Sequence, residues 1–251
     1  NVAAANRIDY TGVALAGAGA GNYSLAATTA QGAGSITRRA LTVDTVAAQS
    51  KTYDGTTDAD AAEFRATLGN LVAGEESSVT ATAAGASYNS KNVIGANAVS
   101  YTGVALRGAG AANYTVADTA QGAGTITQRA LTLGAVESQS KTYDGTRAAD
   151  ASKFRATLGN TIAGDSVTAA ATTATFNDKN VAAANRIDYT GVALAGADAG
   201  NYSLAATTAQ GAGTITPRDL TLTADAKKIV QGEAMPSFTG RADGFADGED
   251  T

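Results

Sequence analysis

Carboxylates, tyrosines and lysines are the side chains through which this chain could do chemistry. Its 251 residues include no His and no Cys, so the usual general base and the strongest nucleophile are both missing. Paired carboxylates could still support glycoside hydrolysis. Here, however, Asp and Glu are scattered through turn-like segments, and Asp54 and Asp144 recur in step with a repeat. The expectation is a chain that is not an enzyme, with no catalytic residue, no cofactor and no metal ligand. The run Asp243-Gly-Phe-Ala-Asp247-Gly-Glu249-Asp250 has the composition of a calcium loop. Its spacing fails the pattern of oxygen ligands around a central Gly that an EF-hand loop needs, so a turn is the better reading. Asp58 and Asp60 form a second acidic pair, but the equivalent positions are Ala148 and Asp150, so the pair is not repeated.

The tyrosines suggest stacking on sugar rings. Tyr53 and Tyr143 recur in phase, as do Tyr10, Tyr101 and Tyr189, and Tyr23, Tyr114 and Tyr202, while Tyr88 is replaced by Phe176. Exchange with Phe keeps the ring and drops the hydroxyl, which points to packing, or to corner tyrosines tied by their hydroxyls. Lys51, Lys141, Lys91 and Lys179 stand near Asn residues, the residue types of an intramolecular isopeptide link.

All of these residues sit in a repeat. Residues 1–42 recur at 180–221 with four differences, Gly19/Asp198, Ser35/Thr214, Arg38/Pro217 and Ala40/Asp219, and a looser copy fills 92–132. Between the copies lie KTYDGT at 51–56 and 141–146, and FRATLGN at 64–70 and 154–160. The spacing exceeds that of a solenoid coil, roughly 20–50 residues, and suits a small domain. The organisation that follows is the C-terminal half of a repeat at 1–42, complete repeats at 43–132 and 133–221, and the start of another module at 222–251. The repeat junctions are too short for flexible coils, so an elongated rod of domains is expected.

Composition narrows the function classes. A net charge of −5 argues against nucleic acid and against an anionic membrane surface, and no apolar stretch is long enough to span a bilayer. The absence of Cys excludes a disulfide scaffold and a thiolate zinc site. Short alternating strands such as Arg7-Ile8-Asp9-Tyr10-Thr11 are separated by Gly-rich turns, the rhythm of a sandwich or barrel. The apolar phase flips at Gly12, Gly103 and Gly191, as at a bulge or sharp bend. One segment reads differently. Phe64 and Leu68 are spaced i,i+4 with Ala61 on the same face, Thr57 or Asp58 as a cap and Gly69-Asn70 as a stop, which predicts a short helix over 58–68 and its copy. A strand plus turn is the alternative.

The blocks Lys51 to Thr56 and Lys141 to Thr146, Ala-Gly-Glu/Asp at 73–75 and 163–165, and Lys-Asn-Val at 91–93 and 179–181 carry a likeness. So do the Asn-Tyr pairs, Asn113-Tyr114 and Asn201-Tyr202, and the Ile-Thr-x-Arg of 126–129 and 215–218. Together they resemble the YDG repeat, found in tandem in large bacterial filamentous-haemagglutinin-like surface adhesins. Residues 222–251 resemble the start of a mostly-β, glycine-rich (MBG) domain. The resemblance implies structural roles for Tyr53, Asp54, Gly55, Tyr143, Asp144, Gly145, Asn113, Tyr114, Asn201 and Tyr202. It also implies an extracellular stalk on a bacterial cell surface, serving adhesion or biofilm formation. Its partners would be neighbouring repeats of the chain, with surface glycans or a protein receptor engaged outside this segment. The expected fold is all-β, tandem Ig-like β-sandwich repeats with one short helix each, or alternatively α+β grasp-like repeats.

Overall fold

A computed structural model describes residues 1–249. Asp250 and Thr251, the last two residues of the expected C-terminal module, lie outside the described residues. The chain divides into two compact units, Asn1–Thr127 and Gln128–Thr251. The tandem all-β expectation holds. Among the described residues, every helical segment is a three-residue 3-10 turn.

In the second unit the centre is a four-stranded mixed sheet. Its order is Gln139–Thr142, Thr208–Thr216, Arg186–Thr190, Thr173–Phe176. The first pair is parallel and the other two are antiparallel. Arg129–Val136 belongs to a second, three-stranded sheet, antiparallel to Ala156–Gly159 and parallel to Tyr202–Leu204. Thr168–Ala170 and Ala193–Ala195 form a small antiparallel ribbon. In the first unit the same central sheet recurs as Gln49–Thr52, Thr119–Thr127, Ala98–Thr102 and Gly85–Tyr88.

Period-2 patterning decides which residues turn inward. In Arg186–Thr190 Ile187 and Tyr189 are buried while Arg186 and Thr190 face solvent, as alternation on a half-buried strand requires. Ile187 and Tyr189 join Phe154, Phe176, Val192 and Ile215 in the core, and Leu133, Val136 and Leu158 of the three-stranded sheet pack against them. Bulky residues are few, so each counts. Truncating a buried Phe typically costs about 3–5 kcal/mol. Core side chains also press on backbone: a Cβ at Gly213 would lie 2.6 Å from Ile187 Cγ1 and 2.8 Å from Phe176 Cε1. The phase flip at Gly191 is a sharp bend, with φ +63°. There the chain leaves the central sheet after Thr190 and enters the ribbon at Ala193.

The helix expected over 58–68 is not formed, and the α+β grasp-like alternative falls with it. Asp60 Oδ1 accepts from Ala62 N at 2.8 Å and caps a single turn, Ala61–Glu63. Phe64 is already extended, at φ −60° and ψ 117°. Ala66–Gly69 then pairs antiparallel with Thr42–Val46. A single turn fixes several dihedrals for one hydrogen bond and is costly to propagate, whereas a waiting strand edge satisfies the backbone immediately. The i,i+4 pair is therefore not a helix face. Phe64 is a buried plug after the turn, and Leu68 sits on a strand.

Two glycines of the second repeat test this packing. Gly196 has φ +111°, and a Cβ there would meet Ser166 O at 2.4 Å; Gly164 has φ +92° and open space around it. Gly196→Ala is expected to lose about 3 kcal/mol, combining strain and clash, and Gly164→Ala about 1 kcal/mol from strain alone. Urea unfolding of the two variants checks the difference, and equal losses would remove the close approach to Ser166.

Candidate functional site

The Tyr-Asp-Gly turn is organised around a lysine. Lys51 Nζ lies 2.8 Å from Asp54 Oδ1 and donates to Thr56 O at 3.0 Å, Thr56 Oγ1 at 3.0 Å and Asp58 O at 2.9 Å. Asp54 Oδ1 also accepts from Thr56 N at 2.9 Å, closing an Asx turn. Gly55 follows at φ +82°, where a side chain would be strained. The ammonium stands 5.4 Å from the centre of the Tyr88 ring. The second repeat reproduces this with Lys141, Asp144, Thr146 and Gly145, and the Phe176 ring takes the place of Tyr88 at 5.5 Å. Cation–π attraction needs the ring and not the hydroxyl, which accounts for the exchange. Tyr53 is fully buried, and its backbone N–H donates to Thr127 O at 2.9 Å.

The electrostatics follow from this geometry. The hydrogen bond from Lys141 outweighs partial burial and, with those from Thr146, holds the Asp144 carboxyl down at about 2. Burial pushes the Asp54 carboxyl up, but the bonds from Lys51 and Thr56 overcome it and leave the group below its ordinary value. Lys51 and Lys141 thus face aspartates rather than an Asn. Lys179 faces Glu249, at 3.6 Å.

The Asn-Tyr pairs anchor the Ala-Gly-Glu/Asp loops. Tyr202 OH donates to Asp165 Oδ2 at 2.5 Å and accepts from Ile162 N at 2.9 Å. Tyr114 OH likewise donates to Glu75 and accepts from Val72 N at 3.2 Å. Both rings are buried. Burial and the bond to Asp165 raise the Tyr202 phenol above its ordinary value; for Tyr114 the bond to Glu75 is the main cause. Asn201 is buried, and Asn113 Oδ1 accepts from Val2 N at 3.0 Å. Tyr114 and Tyr202 are packing tyrosines with tied hydroxyls, whereas Tyr23, their copy, and Tyr10 are exposed, contrary to the packing role expected for all in-phase tyrosines.

Two features escaped the sequence reading. Gln139 Nε2 donates to Tyr189 OH at 2.8 Å and Asp150 O at 3.2 Å; Gln49 does the same to Tyr101 OH at 2.9 Å and Asp60 O at 2.7 Å. The closing Arg of Ile-Thr-x-Arg has a partner too. Arg129 Nε and Nη2 donate to Asn160 O at 2.8 Å and Asn160 Oδ1 at 2.6 Å, and Asn160 Nδ2 returns a bond to Ala130 O. Asn160 sits at φ +72°, a conformation Asn tolerates better than most residues. The recurrence of both residues in every copy was the available signal.

The remaining acids are dispersed. Asp243 pairs with Arg241 at 3.3 Å, and Glu249 accepts from Tyr143 OH. Among the described residues no group of three or more acids is placed to hold a metal ion. One recess of about 640 Å³ is open and lined by Phe64, Arg65, Leu68 and Val79, without any of the Tyr-Asp-Gly or Asn-Tyr signature residues. A smaller one of about 300 Å³ has Tyr143, Arg218, Phe245 and Glu249 in its wall. No described helix is long and apolar enough to cross a membrane.

This is a chain of tandem all-β repeats whose shared polar residues hold turns and loops in place. The profile of the YDG domain matches residues 37–121 and again 127–209, and the chain belongs to that family. No curated protein and no solved structure matches it.

The Lys141–Asp144 turn predicts an acid dependence. A carboxyl at about 2 when folded and near 3.9 when unfolded contributes stability that is present above the unfolded value and lost as pH falls toward 2. The Asp144 side chain is 47% exposed, so solvent screening leaves on the order of 1 kcal/mol. Asp144→Asn is expected to be less stable by about that amount at pH 7 and to flatten the decline between roughly pH 4 and 2. Urea midpoints across that range, with a carbon-detected titration of Asp144, provide the measurement.

Proposed function

We propose that this chain is part of the structural stalk of a secreted bacterial surface adhesin, in which YDG repeats project a distal binding region for adhesion, aggregation or biofilm formation. The observation that carries the reading is that the signature side chains bind the repeat itself. Lysine and aspartate close the same turn in both repeats, tyrosine and an acid pin the same loop, and arginine and asparagine clamp the same strand end. A residue set kept for internal bonding, copied in tandem, suits a spacer, because a spacer's output is length and stiffness. The boundaries that go with this reading are a half repeat at 1–42, complete repeats at 43–132 and 133–221, and an MBG-type module beginning at 222. In this reading the chain is extracellular and has no enzymatic activity.

The alternative is that the repeats bind a glycan or a protein themselves and gain avidity from repetition. It draws on the recess holding Tyr143, Phe245 and Arg218, since aromatic rings with a nearby guanidinium suit a sugar acid. A glycan array probed with this chain distinguishes the two. The stalk reading expects no saturable binding. Saturable binding lost in Tyr143→Ala would establish the alternative.

A further inference from the structure

The two ends of each repeat are joined by parallel strands, and this has a mechanical meaning. In the second repeat Gln139–Thr142, near the entry, lies parallel to the last strand, with Gln139 opposite Gly213 and Thr142 opposite Thr216. The pairing continues past the register, as Tyr143 N donates to Thr216 O at 2.9 Å and Thr216 Oγ1 to Lys141 O at 3.3 Å. A second parallel patch joins the entering strand, Arg129 to Leu131, to Tyr202–Leu204. The first repeat has the same two patches, Gln49–Thr52 with Gly124 to Thr127, and Arg39–Ala40 with Tyr114–Thr115.

Tension along the chain pulls the entering strand backward and the leaving strand forward. On parallel neighbours that load runs along the strands and across the ladder bonds, so all bonds of a patch are strained together. Had the same strands been pulled at one shared end, the bonds would open one after another. We infer that each YDG repeat is a force-bearing clamp, in which the two parallel patches, each joining a strand near the entry to a strand near the exit, set the resistance to end-to-end tension. The Lys141–Asp144 turn, directly after Thr142, reinforces it, because Lys141 is itself a clamp residue, opposite Ile215. The inference concerns the fold of the repeat and stands whether or not the chain serves as a surface stalk.

The chain contains no Cys, so introduced thiols give unique handles for single-molecule pulling. Ser138, Ala212 and Arg218 are exposed and flank the clamp. The pair Ser138→Cys with Arg218→Cys loads the patch along its length; Ser138→Cys with Ala212→Cys pulls both strands from the same end. With four register positions loaded together rather than singly, the first geometry is expected to rupture at several-fold higher force. A parallel comparison in the first repeat, Ala48→Cys with Gln128→Cys against Ala48→Cys with Ala123→Cys, guards against a handle that disturbs folding. Equal forces in the two geometries, or a higher force for the shared-end pull, would overturn the clamp.

Discussion

Each repeat is organised around one amide. The Gln139 side chain reaches from the edge strand to Tyr189 OH in the central sheet and to Asp150 O at the 3-10 turn. Phe154 leaves that turn and returns to the Tyr189 ring, with centroids 4.7 Å apart. The amide and the ring pair therefore close a circuit of edge strand, central strand and turn. Gln49, Tyr101 and Phe64 repeat it, again with centroids 4.7 Å apart. A buried phenol without a partner is costly, and so is a buried amide. Each satisfies the other, and the edge strand is held to the core although its residues Gln, Ser, Lys and Thr have little apolar surface to bury.

That arrangement suits a chain with few large apolar residues. Among the most deeply buried side chains are Tyr101, Tyr189 and Tyr202, whose hydroxyls bind Gln49, Gln139 and Asp165. Tyrosine supplies ring area for the core and a polar tip to bind a turn or loop from within. Polar residues add position where the apolar core adds only cohesion. The two complete repeats differ in sequence at many positions yet keep the same bonds, so the bonds define the repeat more closely than its overall composition does.

Much of this was legible in the sequence. The alternation read in Arg7–Thr11 describes its copy Arg186–Thr190, where Ile187 and Tyr189 turn inward, while all five residues of Arg7–Thr11 itself are exposed. The glycine after the copy marked the bend, and the exchange of Tyr88 for Phe176 identified a packing ring. The helix at 58–68 was misread because Phe64 and Leu68 fit a helical period by coincidence. What overrides that period is the partner strand Thr42–Val46, a long-range fact that no local window contains. The Lys51–Asp54 turn was visible only as a motif. Its bonding depends on Asp58 O, further along the same loop, and on the Tyr88 ring, which tertiary folding brings in. Gln49 and Gln139 were overlooked because an amide in a polar run carries no sign of burial.

The hairpin of Arg186–Thr190 with Thr208–Thr216 has a near-identical counterpart in Arg7–Thr11 with Thr29–Ala33, and the registers agree, Arg186 opposite Ala212 and Arg7 opposite Ala33. In the counterpart Ile8, Tyr10 and Ile36 are exposed, whereas Ile187, Tyr189 and Ile215 of the second repeat are buried. Local pairing forms early, and pairing across a long loop forms late. When the chain emerges from its N-terminal end, Gln139–Thr142 precedes its partner Gly213 to Thr216 by most of a repeat and must wait unpaired. A waiting strand is where nascent chains aggregate. This one is Gln-Ser-Lys-Thr, a polar tetrapeptide with a charge, which is poor material for association with a neighbouring chain. Its unpromising composition as a strand is thus a safeguard for newly made repeats.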